Sequence, residues 1–404
     1  MFSITQRLSV FLMLSTALAI GILRFSYTAL LPSTRVAFEW STSFASLLGS
    51  ANLLGYLIGA FWAMRLAQNA RMLHYLTAAG VVGSLSLLCC AFAGFNGSWY
   101  IFWRLLSGIC GGLLMILAPT VVAQCCAPEQ RLKINFIGFS GVGIGVLAAT
   151  LFLPYLDQLS IRSAWLILAA FAFSFTLILA SIIYPFQAQL HHNTQIAAPT
   201  AVVDGVYKCL IVVYGCSAFA YIPHSLFWVD YLSQSLNLSL YWINLNWMLY
   251  GLGSALGAVS AYGLALKLGH FKALTWLYSV YVCAILAAVF SQWSLLTLVS
   301  SFLTGLLNPA VVFLTSYTIL QRYGLAYKKL WGMATMTFAS VQLIGGLSFS
   351  ALQSVHMSYN TQFILAAMVL LLGTLSFIGY LKYDNHSQYK MSLSGSLPSN
   401  KDKD

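Results

Sequence analysis

The sequence predicts an all-α polytopic membrane protein: twelve transmembrane helices in two six-helix halves, with both termini cytoplasmic. Three observations predict it. Of 404 residues, 60% are hydrophobic and only 7% charged, whereas soluble domains carry roughly a quarter charged residues. Apolar runs of about 20 residues, the length a helix needs to cross ~30 Å of hydrocarbon, recur along the whole chain. The cations between those runs also alternate. With the N-terminus inside, fifteen of the 19 lysines and arginines fall on cytoplasmic gaps, and only Arg35 and Arg162 fall outside. That bias is the positive-inside signature, and missing one helix would scramble it.

The first run, 8–31, contains Arg24 and has no small-residue cleavage site after it, so it reads as a span and not a signal peptide. The second, 42–65, stops at Arg65, and the third, 72–94, starts after Arg71. The glycine-rich fourth, 98–124, carries Arg104; the fifth, 134–156, follows Arg131 and Lys133; the sixth, 163–185, follows Arg162. Residues 1–186 form the N-terminal half. A polar central loop, 187–205, holds His191, His192, Pro199 and Asp204. The C-terminal half, 206–382, contains runs at 206–231, 241–266, 271–291, 294–320, 330–353 and 361–381. The serine-rich tail, 383–404, is expected to be disordered.

The halves are faintly alike. The fourth span reads LLSGICGGLLMILAPTVVAQ and the tenth FLTGLLNPAVVFLTSYTILQ, so that Gly108 meets Gly305 and Gln124 meets Gln321. Repeated halves are how many secondary transporters build two opposed access states.

Several classes are excluded. The net charge of +11 is spread singly between apolar runs, with no basic stripe or RNA-binding motif, so no nucleic-acid partner is expected. The eight cysteines lie in or at the ends of apolar runs with no C-x-x-C pair, and read as small buried hydrophobes. No metal or cofactor is expected. The chain lacks H-E-x-x-H, P-loop and G-x-S-x-G motifs, and its internal acids do not cluster, which argues against an enzyme or an ATP-driven pump. What remains is a secondary transporter of a small solute. A sensor or receptor derived from a transporter fold is the alternative, and an integral membrane enzyme stands behind both.

Ionisable groups in hydrocarbon cost at least a few kcal/mol, so each needs a partner, water or a ligand. Four qualify: Arg24, Arg104, His224 and Asp230, on spans one, four and seven. Arg24, one turn before Tyr27, can grip a carboxylate or phosphate in two prongs or be satisfied by the protein itself, for instance by Asn52. Arg104 either lines the cavity rim or snorkels outward. His224 follows Pro223, which predicts a kinked helix, and its titration range makes it a proton-carrier candidate with Asp230. Tyr221 precedes that pair. Asn308, beside Pro309, and Gln342 offer buried amides; like Asn52 and Asn246, they serve as ligands or as helix-packing glue. Gly55-x-x-x-Gly59 and Gly108-x-x-x-Gly112 predict close helix contact.

Twelve spans with both ends inside resemble the major facilitator superfamily. Its fourth-span Arg-x-x-x-Gly signature is matched by Arg104 and Gly108. Arg65 and Arg71 stand in its gating loop between spans two and three, but Met64 replaces the acidic position and Ala67 the glycine. The second-half counterpart survives as Lys267-Leu268-Gly269 with Lys272. The stretches Arg24 to Pro32, Ser50 to Gly59, and Thr335-x-x-Phe338-x-x-x-Gln342-x-Ile344-Gly345 resemble the YbfB/YjiJ-like subgroup, with Leu23 and Gly346 as departures. The resemblance implies a bacterial inner-membrane permease, a monomer in the bilayer. It implies a central cavity lined by spans one, four, seven and ten but no particular substrate; Arg24 itself points to a small molecule with an anionic or polar group.

Overall fold

A computed structural model describes residues 3–66, 71–150, 160–186, 203–290, 294–355 and 357–394. Among them it is all-helical. Twelve helices are long and apolar enough to span: Ile4–Thr28, Leu47–Leu66, Met72–Cys90, Gly97–Cys125, Pro128–Ala148, Ile161–Phe186, Gly205–Ser235, Tyr241–Leu268, His270–Val289, Leu295–Tyr323, Tyr327–Gln353 and Tyr359–Asp384. An even number of crossings returns the chain to the face where it began, here termed the terminal face. The predicted spans match these one for one, with shifted ends. The fifth starts earlier, at Pro128, and its predicted end at 151–156 lies outside the described residues, as do His191, His192 and Pro199 of the central loop.

Local chemistry sets the helix starts. Ser3 and Gln6 form a reciprocal capping box at the first helix. Asn96, Ser160 and Asp204 accept from the backbone N–H three residues on, capping the fourth, sixth and seventh helices. The last helix runs on to Ser394, past the predicted tail boundary at 383. No glycine or proline interrupts residues 380–394, so nothing in that stretch breaks the i→i−4 ladder. Residues 395–404 lie outside the described residues.

Burial sorts the helices into inner and outer. In the most apolar window of the first helix 83% of residues are buried, and in the fourth 78%, against 33% in the sixth and the twelfth. Peripheral helices show their apolar sides to lipid, which is as apolar as leucine, so packing in the centre relies on small residues. Gly55 and Gly59 press on the backbones of Leu105 and Ile109, while Gly108 and Gly112 press on Asn52 and Tyr56. The second half repeats this seam between its own second and fourth helices: Gly253 and Gly257 meet Phe302 and Leu306, and Gly305 meets Tyr250. A Cβ at any of these positions would strike backbone.

The two halves close on each other near the terminal face. Phe136 stacks on Tyr262 at 4.2 Å, and Phe139 packs on both Phe313 and Trp331. The Trp331 indole donates to the Met115 carbonyl at 3.4 Å. Met64, where the superfamily pattern places an acid, fills the space above Gly332. An apolar plug thus stands where a charged contact is expected.

Candidate functional site

Beyond this aromatic seal lies a small cleft lined by Arg24, Phe25, Tyr27, Thr28, Gly49, Asn52, Leu53, Arg104, Ser225 and Leu226. It has room for about one or two water molecules. Both halves contribute: the first, second and fourth helices on one side, the seventh on the other.

The first helix is not regular where it reaches the cleft. Residues Ala17–Phe25 are wound as a π-helix, with no proline to force it. The Leu23 carbonyl there accepts from Arg104 Nη1 at 3.3 Å and from Ser107 Oγ at 3.0 Å. One irregular turn therefore anchors the Arg104 guanidinium and presents Arg24 to the cleft. Arg104 also lies over the Tyr27 ring at 4.2 Å, a cation–π contact, and the Tyr27 hydroxyl is fixed on the Ala45 carbonyl at 2.8 Å. Arg104 is 2% exposed, so it turns inward and does not snorkel. Asn52 donates to the Arg104 carbonyl at 3.2 Å, a packing bond between the second and fourth helices.

Arg24 is only half-buried, and its Nη2 donates across the halves to Gln342 Oε1 at 2.8 Å. The ionisable groups acting on Arg24 are the phenols of Tyr221 and Tyr56; those acting on Arg104 are Cys90, Tyr27 and Arg24 itself. No carboxylate of the described residues is among them. Around Arg24 several donors lack a partner in the described structure: Gln342 Nε2 and the Tyr221 hydroxyl, with Arg104 Nε on the far side. Phe25 sets its edge against Tyr221 (6.3 Å) and Tyr250 (6.2 Å), which stack with each other and with Trp247.

His224 is elsewhere. As predicted, Pro223 opens an irregular turn, a π-helix over Pro223–Phe227. The imidazole, however, is fully enclosed within the C-terminal half. It stacks on Trp228 at 4.5 Å, with Phe363 edge-on, and pairs through Nε2 with Ser300 Oγ at 2.8 Å. Ser300 Oγ donates to the Ala284 carbonyl, so it accepts from His224, which fixes the Nε2–H tautomer and leaves Nδ1 bare. Beside it, Trp228 donates to Ser301, Ser301 to Asn246, and Asn246 to Thr297. Asn308 is buried in the tenth helix, its Oδ1 unpartnered in the described structure, and it does not line the cleft.

Asp230 stands near the C-terminal end of the seventh helix, partly buried, where the Arg35 cation acts on it from the stretch that follows the first span. Of the gating residues, Arg65 covers the Phe61 ring at 4.5 Å, and Arg71 stands at the start of the third helix with no side-chain cap there. Lys267 and Lys272 are exposed. The charged contact at the terminal face is elsewhere. Asp204 caps the seventh helix through Tyr207 N and accepts from the Tyr323 hydroxyl and, at 2.9 Å, from Arg322. Partial burial pushes the Asp204 carboxyl up, but these hydrogen bonds outweigh it and hold it below its ordinary value.

Phe25, Tyr56, Ser225, Tyr250 and Trp247 escaped sequence reasoning. Among 26 phenylalanines and 22 tyrosines on apolar helices, no spacing singles these out.

Residues 16–377 match a protein family described as "Uncharacterised MFS-type transporter YbfB". Among solved structures the chain is similar to a bacterial homologue of the iron transporter ferroportin in its outward-facing state. That match has 15% identity and a TM-score of 0.67, covering 93% of this chain and 99% of the other. It is also similar to the human organic anion transporter MFSD10 (TETRAN), with 17% identity and a TM-score of 0.70, covering 93% of this chain and 100% of that one. Likeness at these identities establishes the shared fold and no more.

Proposed function

From the premise that the chain belongs to the MFS-type transporter family of YbfB, we propose that it carries a small organic anion by alternating access, the two six-helix halves rocking about the Arg24 cleft. One observation supports the substrate's charge: two guanidiniums face one inter-half cleft, and the hydrogen bonds they make go to the Gln342 amide oxygen and the Leu23 carbonyl, both neutral. An uncompensated cation within hydrocarbon costs at least a few kcal/mol, and an anion arriving between the halves would offset that cost. The Arg24–Gln342 bond supports the same reading, since the cation already reaches across the moving interface.

The chain sits in a bacterial inner membrane as a monomer with cytoplasmic termini, so the aromatic plug closes the cytoplasmic side. The proton gradient drives transport, and Asp230, partly buried near the end of the seventh helix with the Arg35 cation acting on it, suits a proton carrier better than the sealed His224. Uptake of radiolabelled organic anions into proteoliposomes tests this. Arg24→Gln and Arg24→Ala should each lower the rate about tenfold or more, the worth of a charge-assisted hydrogen bond. Wild-type rates in both variants would end the proposal.

A further inference from the structure

The proposed anion site has a second half that its charge does not explain. On the C-terminal side, Tyr221, Tyr250 and Trp247 form a continuous stacked wall, each ring 2% exposed or less. On the N-terminal side the residue next to Arg24 is Phe25, whose edge is set against that wall at 6.2–6.3 Å. These ring contacts cross the interface that alternating access must open. Next to them lie the polar atoms left over: the Tyr221 hydroxyl, Gln342 Nε2 and the Trp247 indole N–H, all buried and unpartnered in the described structure. Each can donate a hydrogen bond.

In the closed state the protein fills this site with its own groups. Gln342 Oε1 takes the place of an anionic oxygen on Arg24. Phe25 takes the place of a flat ring against Tyr221 and Tyr250. Resting on the anion-transport reading above, we propose that the substrate is an arylcarboxylate: a carboxylate on a compact aromatic body. Its carboxylate displaces Gln342 Oε1 from Arg24 and accepts from the Tyr221 hydroxyl, and from Gln342 Nε2 once that amide turns. Its ring enters between Phe25 and the Tyr221–Tyr250–Trp247 wall, where offset and edge-on contacts favour an aromatic over an aliphatic body. Displacing Gln342 also removes the bond that holds the halves together at Arg24, so binding and opening are one event.

Calorimetric titration of the detergent-purified full chain tests this with phenylacetate, phenylacetamide, acetate, succinate and octanoate. Phenylacetate should bind about tenfold tighter than any of the others. Tyr221→Phe should weaken it about fivefold or more and Tyr250→Leu about fivefold, with both variants melting like wild type. Acetate or succinate binding best and depending on Arg24 would overturn the aromatic body while leaving anion transport standing. Octanoate binding as tightly as phenylacetate and ignoring Tyr250→Leu would do the same. If no anion binds wild type, both proposals fall together.

Discussion

Two polar clusters are buried in this bundle, and they differ in what they leave undone. Around His224, a neutral ring, hydroxyls, an indole and an amide bond to one another and to backbone within one half of the molecule, and of the ring's two nitrogens Nδ1 is left bare. Around Arg24, charged and neutral donors meet across both halves: Arg24 donates to Gln342 Oε1, Arg104 to the Leu23 carbonyl, and several N–H and O–H groups have no partner in the described structure. In hydrocarbon, a polar group with its own partners is structural glue, worth about a kcal/mol per bond. A charged group without them is waiting for a ligand or water. On the proposed reading the first cluster stiffens a half, and the second is where the halves would meet a substrate.

The sharpest way to break that contrast is to remove the cation. Arg24→Gln should cost about tenfold or more in anion uptake while leaving the melting temperature level or higher, because a half-buried charge with no carboxylate partner among the described residues goes with it. A large loss of stability would make Arg24 structural, like His224. A smaller effect is expected from His224→Phe, which keeps the stack on Trp228 and gives up the Ser300 bond. Stability should fall by about 1 kcal/mol, with the rate and pH dependence of uptake unchanged. A folded His224→Phe protein that lost its proton coupling would merge the two clusters.

The smallest effect is expected at Asp204, outside both. Asp204→Asn should lower stability by about 1 kcal/mol at neutral pH, through a weakened cap and the lost Arg322 pair. The sign follows from the lowered carboxyl value. The stabilisation is complete above the ordinary carboxylate range, near about pH 4, and is lost as pH falls through the lowered folded value. Thermal melts of both proteins against pH should converge only on the acid side. A gap that persists there would assign the effect to packing.

The fold was legible because lipid imposes length and composition on every span and charge on every loop. Arg24 and Arg104 were legible because a cation in an apolar run is conspicuous. Their surroundings were not. The π-turn at Ala17–Phe25 has no proline to announce it, whereas Pro223 announced the one beside His224. The enclosure of His224 was not legible, because its partner Ser300 lies 76 residues away on another helix, where serine carries no signal. The aromatic wall was hidden by abundance.

On the proposed reading the substrate supplies the anion for the Arg24 cleft. Gln342→Glu builds that anion into the protein at the position that already touches Arg24. Its melting temperature and its uptake of organic anions, measured together against wild type, test the claim most directly. The expected outcome is a more stable protein whose uptake falls about tenfold or more, Arg24 now being paired within the protein. A variant that melts at or below the wild-type temperature and still transports at the wild-type rate would contradict it.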